Sequence, residues 1–467
     1  MPAREHLLKI GVSGIRGVVG EFLTPALACA FAEAFGTYVG GGRVVVGRDT
    51  RSSGPMLQHA VQCGLLATGC DVVDVGVLPT PTIQVYVAAT GARGGIALTA
   101  SHNPPEYNAL KLFNAQGLFF NNYERGELID LYHQSAFRRA SNEEIGRIAE
   151  DYQRAPEMHI ARVLRHVDAG KIRARRFRVA VDGVNGASSL MTPRFLGDDL
   201  NCEVEAIFCD PAKPFPRVAE PRPDTLGELA ALVRRTGADA GFAHDPDGDR
   251  LAVCDELGRV LDNDDVLALV VDAALERLPG DVVVHLTTSS VIDDIALKHG
   301  CRVHRTAVGE ANVVETMQAV KAVIGGEGSN GGIIFPPVHL CRDSYTGMAF
   351  LLDLMCGTGK RISELHAGLP QYWRRHGTIR CGHGMLAAVM TGLEEAFPEA
   401  LDSDRLDGLK LMLPDAWVHV RTSNTEPIIR LAVESKAETR TGELYDRLAR
   451  FCAGEGETQG EQTRCFS

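Results

Sequence analysis

The chain has 467 residues, 45% hydrophobic and 23% charged, with a formal net charge of −12. At roughly 150 residues per domain there is room for about three domains with clefts between them, and the acidic balance excludes nucleic acid or an anionic membrane as the main partner. No window is apolar enough for a membrane span, the opening MPAREHLLKIGV lacks the apolar core of a signal peptide, and the twelve cysteines form no CxxC or Cys/His cluster; a cytoplasmic chain with reduced thiols is expected.

Short apolar strands alternate with helix-like segments through most of the chain, the pattern of βαβ units. After SGIRG, which sets Arg16 among glycines, a first group of strands reads RVVVGRDTR from Arg43, DVVDVGVLPTPT from Asp71 and GGIALTASHNP from Gly94. A second reads FRVAVDGVNGAS from Phe177, CEVEAIFCDPAKP from Cys202 and ADAGFAHDPDGDR from Ala238; a third reads DVVVHLTTSS from Asp281, CRVHRTAVGEANV from Cys301 and AVIGGEGSNGG from Ala322. From about Gln371, GTIRCGHG, DGLKLML and AWVHVRTSNTEPIIRLAVES read as strands of a smaller unit. The predicted fold class is α/β: three similar α/β domains with mixed, largely parallel sheets (1–152, 153–255, 256–369) and a C-terminal α+β domain (370–453) around a central cleft, followed by a flexible tail (454–467).

In each group the third strand ends in the most unusual loop, and α/β proteins bind ligands beyond the carboxyl ends of parallel strands. In HDPDGDR, Asp245, Asp247 and Asp249 recur at every second position; three converging carboxylates repel one another unless a cation sits between them, and hard oxygen donors select Mg²⁺. A solvated acidic turn is the plainer alternative, whereas an EF-hand is excluded because Arg250 stands where its loop needs glycine and a strand leads in. Ser101, in TASHNP, is a phosphoryl carrier if a metal and basic groups lie near, and otherwise a helix cap or turn. Lys111 follows ten residues later. Glu327 sits among glycines that let backbone approach a polyol. Arg421, Ser423, Asn424 and Thr425 supply a guanidinium fork, hydroxyls and amides suited to a phosphate dianion, with a structural turn as the alternative.

TASHNP, DPDGDR, GEGSNGG and RTSNTEP occur in the order of the four signature loops of the α-D-phosphohexomutase superfamily, and the chain resembles it over essentially its whole length. The resemblance implies interconversion of hexose 6-phosphate and hexose 1-phosphate through a phosphoserine and a bisphosphorylated sugar. By it, Ser101, held out over the cleft, carries the phosphoryl group, and Asp245, Asp247 and Asp249 hold Mg²⁺ together with a phosphoserine oxygen. Arg16, His102, Lys111 and Arg250 support transfer and proton movement. Glu327, with Ser329 and Asn330 of its loop, would bind sugar hydroxyls, and Arg421, Ser423, Asn424 and Thr425 the phosphate that is not reacting. GEGSNGG departs from the Gly-Glu-Met-Ser-Gly-His and Gly-Glu-Gln-Ser-Gly-His loops of bacterial members; it is similar to the archaeal-type Gly-Glu-Gly-Asn-Gly-Gly form with Ser329 inserted. RTAVGEANV resembles the corresponding segment of phosphoglucosamine mutases, which favours glucosamine phosphate over the mannose or glucose phosphates of related mutases. Two readings from other classes are a Mg²⁺-dependent sugar-phosphate phosphatase with Asp245 as nucleophile and a non-catalytic sugar-phosphate binder. The partner expected in every case is a small sugar phosphate, and the pattern fixes no oligomeric state.

Overall fold

The computed structural model describes residues 8–11, 14–380, 383–422 and 428–453. Val44, Val45 and Val46 of the strand Gly42–Arg48 are fully buried, as a parallel strand covered on both faces requires an unbroken apolar run. Its parallel neighbours are Gly94–Leu98 on one side and Cys70–Val77 on the other, and Tyr107–Phe113 returns antiparallel beside Gly94–Leu98.

The same order recurs twice. Arg178–Asp182 lies between Ala240–His244 and Glu203–Ile207, both parallel to it, and Leu251–Asp255 returns antiparallel beside Ala240–His244. Val282–His285 lies between Ile324–Glu327 and Val303–Thr306, and Gly332–Phe335 returns beside Ile324–Glu327. The grouping of strands in the sequence is therefore a repeat of topology: the third strand pairs with the first and turns back on itself. The C-terminal sheet is antiparallel, in the order Trp373–Arg380, Ile428–Ser435, Ala416–Thr422, Leu409–Met412, Asp402–Asp404.

This topology fixes the loops. The acidic loop is closed by the direct pair His244↔Leu251 and the glycine-rich loop by Glu327↔Gly332, so both ends of each are held by sheet registry. Helices Asn263–Arg277 and Ser344–Thr358 pack together and give the second and third sheets one apolar core that includes Phe242, Val253, Val282 and Phe350, while the first and the C-terminal sheets have cores of their own. Asp343 caps the second of these helices, its side chain accepting from the amides of Tyr345 and Thr346. The buried cysteines Cys70, Cys202, Cys254 and Cys341 are free thiols, and no described helix is long and apolar enough to cross a membrane.

Candidate active site

Ser101 sits at the end of its strand with φ +48°, a left-handed conformation that a residue with a Cβ adopts only where its surroundings impose it. The imposing group is Arg51. It is buried, paired through Nε to Asp49 Oδ2 at 3.0 Å, and its two Nη atoms donate to the carbonyls of Ser101, Asn103, Pro104 and Tyr107 at 2.6–3.0 Å. Thr99 completes the clamp: its Oγ1 accepts from the Ser101 amide at 3.0 Å and donates to Asp49 at 2.7 Å. Ser101 is only 3% exposed. The expectation of a serine held out over the cleft is corrected accordingly, because the clamp draws the loop onto the sheet end and the residue becomes the floor of a cavity.

That floor meets the acidic loop. Ser101 Oγ donates to Asp245 Oδ2 at 2.7 Å, across 144 residues. Asp245, Asp247 and Asp249 are buried and each offers a carboxylate oxygen within 4.8 Å of the others. The turn depends on Gly248, whose φ is +67° and where an added Cβ would fall 2.2 Å from Ser188 Oγ. Thr80, at the start of the helix Thr80–Thr90, ties the loop to the first domain by its hydroxyl to Asp247 Oδ2 at 2.7 Å and its amide to the Asp247 carbonyl at 2.9 Å.

The triad's charge is incompletely met. Lys111 Nζ lies 2.5 Å from Asp247 Oδ2 and 3.4 Å from Asp249 Oδ2. Burial, reinforced by Asp247 and Asp249, pushes Asp245 well above the usual carboxylate range. At Asp247 the same burial is outweighed by the Lys111 ammonium, which holds the carboxyl below that range. One oxygen each of Asp247 and Asp249 is buried without a hydrogen-bond partner. Orphaned anionic oxygens converging on one point are the donor set of a divalent cation, so the residues present fit such an ion.

A cavity of about 210 Å³ opens above Ser101, and Arg16, His102, Lys111, Arg250, Glu327 and Arg342 also line it. Arg16 donates to Asn103 Oδ1 at 2.6 Å. Arg250 donates to Glu220 Oε1 at 2.7 Å and to His102 Nδ1 at 2.9 Å. Because an arginine can only donate, His102 Nδ1 carries the lone pair and the neutral ring bears its proton on Nε2. Burial, with Arg250 and Arg16 close by, pushes the His102 pKa down to about 2, so the ring stays neutral.

Glu327 is 3% exposed and not alone: one oxygen accepts from the Gly309 amide at 3.0 Å and the other from Arg342 Nη1 at 3.1 Å. Ser329 is exposed, its hydroxyl 3.4 Å from His285 Nε2, and Asn330 is half-buried; neither lines the cavity. Arg421 also lies off it, 3.6 Å from Asp407 Oδ2, which accepts from the Val308 amide at 3.1 Å. The segment from Val308 to Gly309 thus joins the Arg421 side of the cleft to Glu327. Ser423, Asn424 and Thr425 lie outside the described residues, as does the tail from 454. Arg51, Thr80, Glu310 and Arg342 are not singled out in the sequence; RDTR, closing an apolar strand, holds Arg51, and RTAVGEANV holds Glu310.

Models of the four phosphoglucomutase/phosphomannomutase domain families match the chain in order: the alpha/beta/alpha domains I, II and III over residues 7–139, 157–258 and 262–372, and the C-terminal domain over 381–451. A probable phosphoglucosamine mutase of Methanopyrus kandleri is 41% identical over 95% of this chain and 98% of its own length. A phosphoglucomutase/phosphomannomutase of Thermococcus kodakarensis is 40% identical over 93% of this chain and 96% of its own. Among solved structures, a phosphoglucomutase/phosphomannomutase family protein from Burkholderia thailandensis superposes with a TM-score of 0.82 at 26% identity, covering 96% of this chain and 99% of that one.

Proposed function

The chain belongs to the phosphoglucomutase/phosphomannomutase family of phosphohexomutases, and from that premise we propose that it interconverts glucosamine 6-phosphate and glucosamine 1-phosphate in the cytoplasm, with Ser101 as the phosphoryl carrier. The observation that carries the reading is the hydrogen bond from Ser101 Oγ to Asp245 Oδ2, which sets a nucleophile of one domain against the acidic triad of the next. The domain division 1–152, 153–255, 256–369 and 370–453 follows from the same reading, since it gives each unit one loop of the cleft.

In the forward half-reaction a sugar hydroxyl attacks the phosphorus of phosphoserine 101. The P–Oγ bond breaks as the new P–O bond forms, the hydroxyl loses its proton and the serine oxygen regains one. The resulting bisphosphate turns over and returns its other phosphoryl group to Ser101. Asp245, Asp247 and Asp249 would hold a divalent cation, Mg²⁺ by their hard oxygens, which when bound withdraws charge from the phosphoryl oxygens. Lys111, Arg16 and Arg250 bring fixed positive charge to the same cavity, where little reorganisation is needed as charge develops. His102, neutral with its Nε2 protonated, is suited to donate a hydrogen bond or pass a proton. Glu327 binds sugar hydroxyls, with Ser329 and Asn330 at the loop's outer edge. Arg421, with Ser423, Asn424 and Thr425, holds the phosphate remote from Ser101.

Glucosamine is preferred because relatives at 41% and 35% identity are named probable phosphoglucosamine mutases; a mannose- or glucose-phosphate substrate is the second reading, favoured by the relative at 40%. The test is to incubate the protein with glucosamine 6-phosphate, glucose 1-phosphate or mannose 1-phosphate and Mg²⁺ and to separate isomerised hexose phosphate from free phosphate. Isomerisation fastest with the amino sugar supports the reading. Release of inorganic phosphate alone would make the protein a phosphatase, and no change with any substrate a binder.

A further inference from the structure

One guanidinium is shared by carboxylates of two domains. Arg342 Nη2 lies 2.7 Å from Asp249 Oδ2, and Nη1 lies 3.1 Å from Glu327 Oε2. Nε is 2.9 Å from Glu310 Oε2, at an angle too bent for a hydrogen bond. The side chain reaches this position by crossing the return strand at Gly332, where an added Cβ would fall 2.4 Å from Arg342 Cδ. A register shift between Ile334 and Phe335 opens the pairing with His339–Arg342 and re-aims its last residue. Arg342 lines the Ser101 cavity.

We propose that Arg342 is a positioning residue that couples the acidic triad to the sugar-side carboxylate Glu327, so that a divalent cation and a sugar phosphate bind cooperatively. This rests on the assignment of the aspartates to a metal and of Glu327 to sugar hydroxyls. The physical basis is competition for one cation. Lys111 sits closer to Asp247 than to Asp249, so without a bound cation Asp249 draws part of the Arg342 charge. A cation on the triad neutralises Asp249, the guanidinium settles on Glu327 and Glu310, and Glu327 is fixed for a hydroxyl. By reciprocity, a sugar that holds Glu327 and Arg342 together frees Asp249 for the metal. A guanidinium does not lose its proton in a protein, so Arg342, within 3.1 Å of Asp249, Glu310 and Glu327, is a permanent cation able to play this part.

The test is a pair of binding titrations on the full chain carrying Ser101→Ala, so that no phosphoryl group moves. Glucose 1-phosphate affinity is measured by calorimetry with and without saturating Mn²⁺, and Mn²⁺ affinity by paramagnetic resonance with and without the sugar phosphate. With Arg342 in place each ligand should tighten the other by about fivefold or more, the lower end of common allosteric couplings. Arg342→Lys keeps a charge but loses the fork, and Gly332→Ala keeps every charged group while displacing the Arg342 stem; both should bring the factor below about twofold while the two ligands still bind separately. Gly332→Ala decides the matter if Arg342→Lys fails to fold. A coupling factor unchanged in the folded variants, or no coupling in the parent chain, would overturn the proposal. Failure of Mn²⁺ or of glucose 1-phosphate to bind the parent at all would instead strike at the reading of the site itself.

Discussion

Lys111 Nζ and Asp247 Oδ2 lie 2.5 Å apart with both side chains buried, 136 residues apart in sequence. Converging carboxylates alone suggest that Asp247→Asn would relieve repulsion and improve folding. The ion pair reverses that expectation, since the substitution leaves the Lys111 ammonium buried with only Asp249, at 3.4 Å. Breaking one side of a buried pair costs about 3–5 kcal/mol. We expect Lys111→Met to lower the stability of metal-free protein by that order, because Asp247 loses its cation, and added Mg²⁺ to recover much of the loss by replacing the missing charge. Urea unfolding with and without Mg²⁺ measures both. Equal losses in the two conditions would mean that the triad does not take the ion.

Arg421→Ala should weaken the 1-phosphate and the 6-phosphate to a similar degree. A bisphosphate that turns over between half-reactions presents each end in turn to one remote site. Losing a charged hydrogen bond there costs about 1.5–3 kcal/mol, or roughly ten- to a hundredfold in affinity. Calorimetry with both isomers checks this, and a loss confined to one isomer would require two separate phosphate sites.

His285 is fully buried beneath the glycine-rich loop, its Nδ1 3.1 Å from the hydroxyls of Thr287 and Thr288. Burial, with Arg305 and Arg421 adding to it, pushes its pKa down to about 3. His339 and His419 are pushed down to about 4, again first by burial. A base whose pKa is depressed on folding contributes its full stability above the unfolded value near 6.5. Below that value the unfolded chain binds the extra proton, so stability falls as pH drops from about 6.5 toward 4. Each such histidine should cost about 2 kcal/mol by pH 5. Unfolding free energies at pH 7.5 and pH 5 should differ accordingly, and His285→Gln should shrink the difference; an unchanged difference would show that His285 is protonated in the folded protein.

The chemistry legible in the sequence was of short range. Asp245, Asp247 and Asp249 announce themselves because alternation in one turn brings three carboxylates together whatever surrounds them, and Glu327 because glycines flank it. The threefold order of strands was legible as well, since apolar runs and turn residues are local. What sets the site was not. Arg342 reaches Asp249 across 93 residues through a bulge in a pairing of short strands, and HLCR carries no trace of it. Arg51 meets the Ser101 carbonyl across 50 residues, and the same clamp explains why Ser101 is buried where an exposed corner was expected. Distances of this kind are fixed by sheet register, which no local pattern specifies.

The most direct measurement is the intact mass of the purified protein and of Ser101→Ala, taken with mutase activity. Ser101 accepts no other covalent role in the mechanism, and its loop is held by main-chain contacts to Arg51, so the alanine variant should fold with a thermal midpoint close to the parent's. A phosphate-sized excess in the parent, absent from a folded Ser101→Ala protein that has lost turnover by several orders of magnitude, is the result expected. A Ser101→Ala protein that still isomerises hexose phosphate at near the parent's rate would contradict it.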